Sequence, residues 1–178
     1  MKSVALICTL AVLLQASLGR IAEPLVYVDF VLVAIVYIAL RREPVQAIVA
    51  GAFSGLALDA LSGGSILGAN GFTKTLVGFL VATLATRVVL DNPLARIPVL
   101  GGAALLDNAV FVTLHRLFGQ PTLQRFAETA SYKIIATTVA GTVLFYFLDT
   151  YVGERADRRR QFAFRRRIAR RRLGRRRL

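Results

Sequence analysis

From residue 3 to residue 151 the chain is a succession of apolar stretches, each 16 to 25 residues long, parted only by short breaks carrying Arg, Glu, Asp, Asn or Pro. A helix needs about 20 such residues to cross the hydrocarbon core of a bilayer. Lipid offers the backbone no hydrogen-bond partners, so a segment crossing it alone must satisfy its own, as a helix does. The pattern therefore predicts an all-α membrane protein with six transmembrane helices. They fall at about 3–19, 25–40, 45–61, 71–90, 94–118 and 132–151. The body, 1–152, is one domain, and 153–178 is a tail. The first stretch follows Lys2 and ends in small residues, as a signal peptide does. It lacks an Ala-x-Ala site and further spans follow it, so it reads as a retained span.

The charge distribution sets the orientation. The net charge is +13, but from Gly153 onward there are 13 arginines against only Glu154 and Asp157, so the body is nearly neutral. The tail repeats triplets at Arg158, Arg159 and Arg160, at Arg165, Arg166 and Arg167, at Arg170, Arg171 and Arg172, and at Arg175, Arg176 and Arg177. Phe162, Phe164, Ile168 and Leu173 between them gather on no helical face. Lys and Arg near span ends stay in the cytoplasm, which puts the tail inside and, with six spans, both termini cytoplasmic. Such a segment is drawn to anionic lipid at roughly 1 kcal/mol per basic residue near the surface. Topological anchoring of a disordered tail and an acidic protein partner are the other readings, and nucleic acid is not expected.

Enzyme chemistry lacks its parts. One cysteine, Cys8, excludes an internal disulfide and argues against a thiolate metal site, and there is one histidine, His115. No phosphate-binding loop, zinc spacing or nucleophile beside a base is present. The expectation is no catalysis, no cofactor and no metal.

The stretch Gly51 to Gly71, GAFSGLALDALSGGSILGANG, begins as a helix and dissolves into a glycine-rich turn. On a helix Gly51, Gly55, Asp59 and Ser62 lie within about 80° of one another, at about 100° per residue. A face with two glycines, a carboxylate and a hydroxyl belongs against protein rather than lipid. Gly63 and Gly64 begin the turn, and Asn70 or Thr73 is the expected cap of the fourth helix. Elsewhere Asp29 falls about one turn inside the second span, Lys74 near the start of the fourth, Asp107 and Asn108 at mid-membrane in the fifth, and Lys133 at the start of the sixth. A charge at the centre of a span costs roughly 2.5–3.5 kcal/mol on insertion scales, so partners are expected. Asp59 with Lys74 is the first pairing and Asp29 with Lys133 the second.

Gly55, Leu56, Asp59, Ser62 and Gly63, preceded by Gly51, resemble the glycine–Leu–x–x–Asp–x–x–Ser–Gly signature of the MreD family of bacterial rod shape-determining membrane proteins. The resemblance implies a non-enzymatic scaffold of the elongation complex in the bacterial cytoplasmic (inner) membrane. It implies MreC as direct partner and, through it, the elongation transpeptidase, the glycosyltransferase and MreB filaments. It also implies a fold similar to the substrate-binding subunits of energy-coupling-factor transporters. That similarity supplies the alternative, a small-molecule binding or transport subunit with Asp29, Asp59, Lys74 and Lys133 lining a pocket. The long arginine tail is not part of the resemblance.

Overall fold

A computed structural model describes residues 2–18, 27–62, 66–88, 93–119 and 129–147. They form helices α1 (Lys2–Leu18), α2 (Phe30–Ala39), α3 (Pro44–Ser62), α4 (Ala69–Arg87) and α5 (Pro93–Leu117), and α6 (Thr129–Phe147). Gly63, Gly64 and the arginine tail lie outside the described residues. By backbone proximity the chain divides into Met1–Thr142 and Val143–Leu178. The described part of the second unit is the last turn of α6, where the rings of Tyr146 and Phe147 stand edge to face, 6.4 Å apart.

Three of these helices are long and apolar enough to cross a membrane: Pro44–Ser62, Ala95–Leu117 and Thr129–Phe147. Val4–Ser17 and Phe30–Ala39 are shorter apolar helices. α4 has the length of α3 but carries Asn70, Lys74 and four threonines. The side chains are distributed as lipid demands. Large apolar residues such as Leu6, Leu10, Val45, Phe53, Phe79 and Leu105 face outward, while Asp29, Asp59, Lys74, Asp107 and Asn108 are buried. A protein folded in water would show the reverse.

Helix α2 is the centre of the first unit. Its sequence is apolar all round, and every residue from Val31 to Ala39 is buried, the expected fate of a helix with no polar face. It is shorter than the sequence suggests, because Asp29 is its N-cap rather than a residue one turn inside: the Asp29 carboxylate accepts the Leu32 N–H at 2.8 Å. The Gln15 side chain on α1 accepts the Phe30 N–H at 2.8 Å, and the Thr137 hydroxyl on α6 accepts the Asp29 N–H at 3.0 Å. Three of the orphan donors at the start of α2 are thus satisfied, two of them by neighbouring helices.

The broadest helix–helix contact is α3 on α4, and glycines set its antiparallel register. A Cβ on Gly51 would lie 2.6 Å from the Lys74 carbonyl oxygen, one on Gly55 2.5 Å from that of Asn70, and one on Gly78 2.9 Å from that of Ala47. Backbone meets backbone at three levels, one helical turn apart along α3. The face predicted to seek protein is therefore taken by α4 of the same chain. Ser62 does not belong to it and is exposed; Ser54 is buried there instead, its hydroxyl donating to the Ala50 carbonyl.

A Cβ added to Gly102 on α5 would meet no atom within 4 Å, so this glycine provides the control for that seam. We expect Gly55→Ala to cost about 1–3 kcal/mol, as overpacking does, and Gly102→Ala to cost nothing. Unfolding midpoints of the two variants in one detergent check the contrast, and equal midpoints would remove the seam as the register-setting contact.

Candidate functional site

Two polar constellations are buried in the first unit. The first is built on Asp59, near the C-terminal end of α3. Its Oδ2 accepts the backbone N–H groups of Gly68 at 2.9 Å, Asn70 at 3.1 Å and Gly71 at 3.3 Å. Its Oδ1 accepts from the Asn70 side-chain amide at 2.6 Å. These are donors of the first turn of α4, which has no intrahelical acceptor for them, and a carboxylate there also opposes the positive end of the helix dipole. Gly68 precedes the helix in the left-handed region, φ 95°, and supplies no side-chain cap of its own. So neither Asn70 nor Thr73 is the N-cap; both lie inside the helix, and the capping group comes from α3.

The expected Asp59–Lys74 pair does not form. The seam that sets Gly51 opposite Lys74 and Gly55 opposite Asn70 leaves Asp59 about 12 Å along the axis from the level of Lys74, at about 1.5 Å per residue. Lys74 instead belongs to the second constellation. Its ammonium lies 2.8 Å from Asp29 Oδ2 and 3.5 Å from Asp107 Oδ1, and its side chain is wholly inaccessible. Lys133 on α6 lies 3.6 Å from the same Asp29 oxygen, as the second pairing expects, with its side chain about one-third exposed. Asp107, which the sequence leaves with only neighbours on its own helix, is thereby joined to the rest. Asn108 is buried beside it and donates to the Ala104 carbonyl at 2.8 Å.

Two carboxylates and two ammonium groups thus close a neutral network that ties α2, α4, α5 and α6 together. Thr137, one turn beyond Lys133, is fully buried and binds both the Asp29 N–H and the Tyr27 carbonyl. Sequence reasoning passed over Gln15, Ser54, Gly78 and Thr137. For two of them a signal was present. Gly71, Gly78, Ala82 and Ala85 mark one small face of α4, and Thr137 follows Lys133 at the four-residue spacing of one helical face.

The network has no chemistry to offer a substrate. Its charges neutralise one another, and the described residues include no cluster of His, Cys, Asp and Glu able to hold a metal ion. His115 stacks on Phe111, ring centroids 4.1 Å apart, and its Nδ1 lies 3.0 Å from the Phe111 carbonyl oxygen. Two grooves among the described residues, of about 640 Å³ between α1 and α3 and about 390 Å³ between α4 and α5, are lined mainly by apolar side chains and include none of the network residues.

An α-helical, multi-pass membrane protein with its charges paired inside is the class these features define. The model of the family described as rod shape-determining protein MreD matches residues 1–153, and the chain belongs to that family. It is accordingly a non-enzymatic, multi-pass inner-membrane component of the bacterial rod-shape system that works with other elongation proteins. No curated protein and no solved structure matches the chain.

Removing one partner of a buried charge group strands the others, at a cost of about 3–5 kcal/mol. We expect Lys74→Met to lose that much stability, visible as a fall in folded protein recovered from membranes. In double-mutant cycles Lys74→Met should couple strongly to Asp29→Asn. With Asp59→Ala it should be additive within about 0.5 kcal/mol. Strong Asp59–Lys74 coupling would contradict the arrangement described.

Proposed function

We propose that this protein is a six-span scaffold of the elongation complex that binds MreC directly, and through it the elongation transpeptidase, the glycosyltransferase and MreB filaments. The family match over residues 1–153 carries this reading. The structure supports it in kind, since a bundle whose buried charges are spent on one another is suited to holding a shape for partners.

On this reading six spans of alternating direction put both termini on the side of the membrane where α2 and α4 finish and α3 and α5 begin. That side has Lys2, Arg41, Arg42, Arg87 and Arg96 against Arg20, Arg116, Arg125 and Lys133 on the other, a modest bias, and it is the 13 arginines of the tail that make it the cytoplasmic one. A cytoplasmic tail of this charge is drawn to the anionic lipid of that side. On the same reading the Asp59 cap and the turn between α3 and α4 lie at the periplasmic face, and the Asp29–Lys74–Asp107 network lies deeper in the bundle, toward mid-membrane. The second reading, a small-molecule binding subunit, loses support because Asp29, Lys74 and Lys133 are committed to one another and Asp59 to the α4 backbone.

Depleting the protein in its own host should turn rods into spheres while uptake of small nutrients stays normal. The Asp59→Ala variant should recover less MreC per molecule on co-purification than any tail truncation does. Unchanged shape with a new nutrient requirement would overturn the scaffold reading in favour of a binding subunit.

A further inference from the structure

Helix α5 holds residues that helices avoid, and holds them close together. Pro98 lies inside it, where a proline removes one rung of the hydrogen-bond ladder and crowds the turn before it. Gly101 and Gly102 follow within a turn, and neither stiffens the backbone as a side chain would. Other glycines in the described helices are explained by what would meet their side chains. Gly51, Gly55 and Gly78 face the backbone of the opposite helix, Gly71 faces Leu56, and Gly141 on α6 makes room for Leu100. Gly102 has no such reason, since a Cβ there would meet nothing within 4 Å, and one on Gly101 would only touch Thr138 at an ordinary 3.6 Å. Packing divides α5 at the same place. Leu100 is fully buried, and Ala103, Ala104, Asp107 and Asn108 are buried beyond it. Of Ala95, Arg96, Ile97, Pro98 and Val99 none is buried. Arg96 makes a contact of its own, so this arm has a resting position. Beside it is room to move, the groove of about 390 Å³ with Leu80 and Leu84 on the α4 wall and Pro98 and Gly102 on the α5 wall.

We propose that the start of α5, Pro93 to Val99, is a hinged arm that rests open as described and swings about Leu100 toward α4, closing the groove beside Leu84. Leu100, seated on Gly141, is the fulcrum. Pro98, Gly101 and Gly102 supply the bend, and the groove supplies the space. A fixed kink would account for Pro98 alone; it accounts neither for the open space at Gly102 nor for the loose packing of the arm. The charge network and the α3–α4 seam lie outside the moving part, so the chain has two outlines where α5 begins over one unchanged core. A bend of about 20°, the least that counts as a sharp kink, carries Ala95 about 3 Å, since it stands five residues from the fulcrum at about 1.5 Å each.

The test uses the full chain in lipid nanodiscs, with Cys8→Ser removing the one native cysteine so that spin labels go only where they are placed. Labels at T86C and A95C report on the arm. Labels at F79C and L105C, both exposed positions on α4 and on α5 past the fulcrum, report on the fixed part. Dipolar EPR should give two distances for the first pair, differing by about 3 Å, and one for the second. P98A/G101A/G102A, which stiffens the helix at positions with room for a methyl group, should leave the first pair a single distance. Gly102→Leu, which fills the groove, should remove the shorter of the two. The hinge is overturned by one distance for the first pair with the hinge residues intact, by two for the second pair, by two that survive P98A/G101A/G102A, or by a shorter one that survives Gly102→Leu.

Discussion

A lysine ammonium with no access to solvent is the constraint on which the rest of the bundle depends. Lys74 is wholly buried between Asp29 and Asp107, and neither lipid nor an apolar core would tolerate it unpaired. Each partner sits on a different helix, so the charge is balanced only when α2, α4 and α5 meet at one level. Lys133 extends the same condition to α6. Inside a membrane the hydrophobic effect gives helices little reason to associate, and the network supplies that reason in a form that also fixes which helices meet and how far each is inserted.

Close packing of small residues does the complementary work. The seam of Ala47 with Gly78, Gly51 with Lys74 and Gly55 with Asn70 fixes α3 against α4 without any charge, and the Asp59 carboxylate closes the end of that hairpin. The two devices meet in Lys74. Its backbone carbonyl lies in the seam and its side chain reaches away from it, into the network. Sliding α4 along α3 would thus break both at once. A body built this way presents fixed surfaces, which is what a non-enzymatic member of a multi-protein complex has to offer.

Much of this was legible in the sequence. The membrane class followed from the lengths of the apolar stretches, and the seam from the spacing of Gly51 and Gly55. That Asp29, Lys74 and Asp107 need partners followed from the cost of a bare charge in a span. Which partners they take did not follow. Adjacency along the chain favoured Asp59 with Lys74, since a short turn separates their helices. The register overrode it, because the glycine contacts place the two residues at different levels. Asp59 was then free for a role that one-dimensional reading hides, as a cap supplied from one helix to the next. Asp29 was misplaced by one turn for a related reason. A capping aspartate and an aspartate just inside a helix look alike when apolar residues lie on both sides.

The buried position of α2 has a consequence for how the protein is made. Asp29 leaves the ribosome early, while the lysine that neutralises it follows 45 residues later and Lys133 later still. At about 5–20 residues per second, this carboxylate waits seconds for its first counter-ion. The helix behind it meanwhile has no completed bundle to enclose it. An apolar helix satisfies its own backbone in lipid, so what α2 lacks until α4 arrives is the counter-ion for its capping carboxylate, and the bundle is a provisional assembly until the hairpin of α3 and α4 has closed.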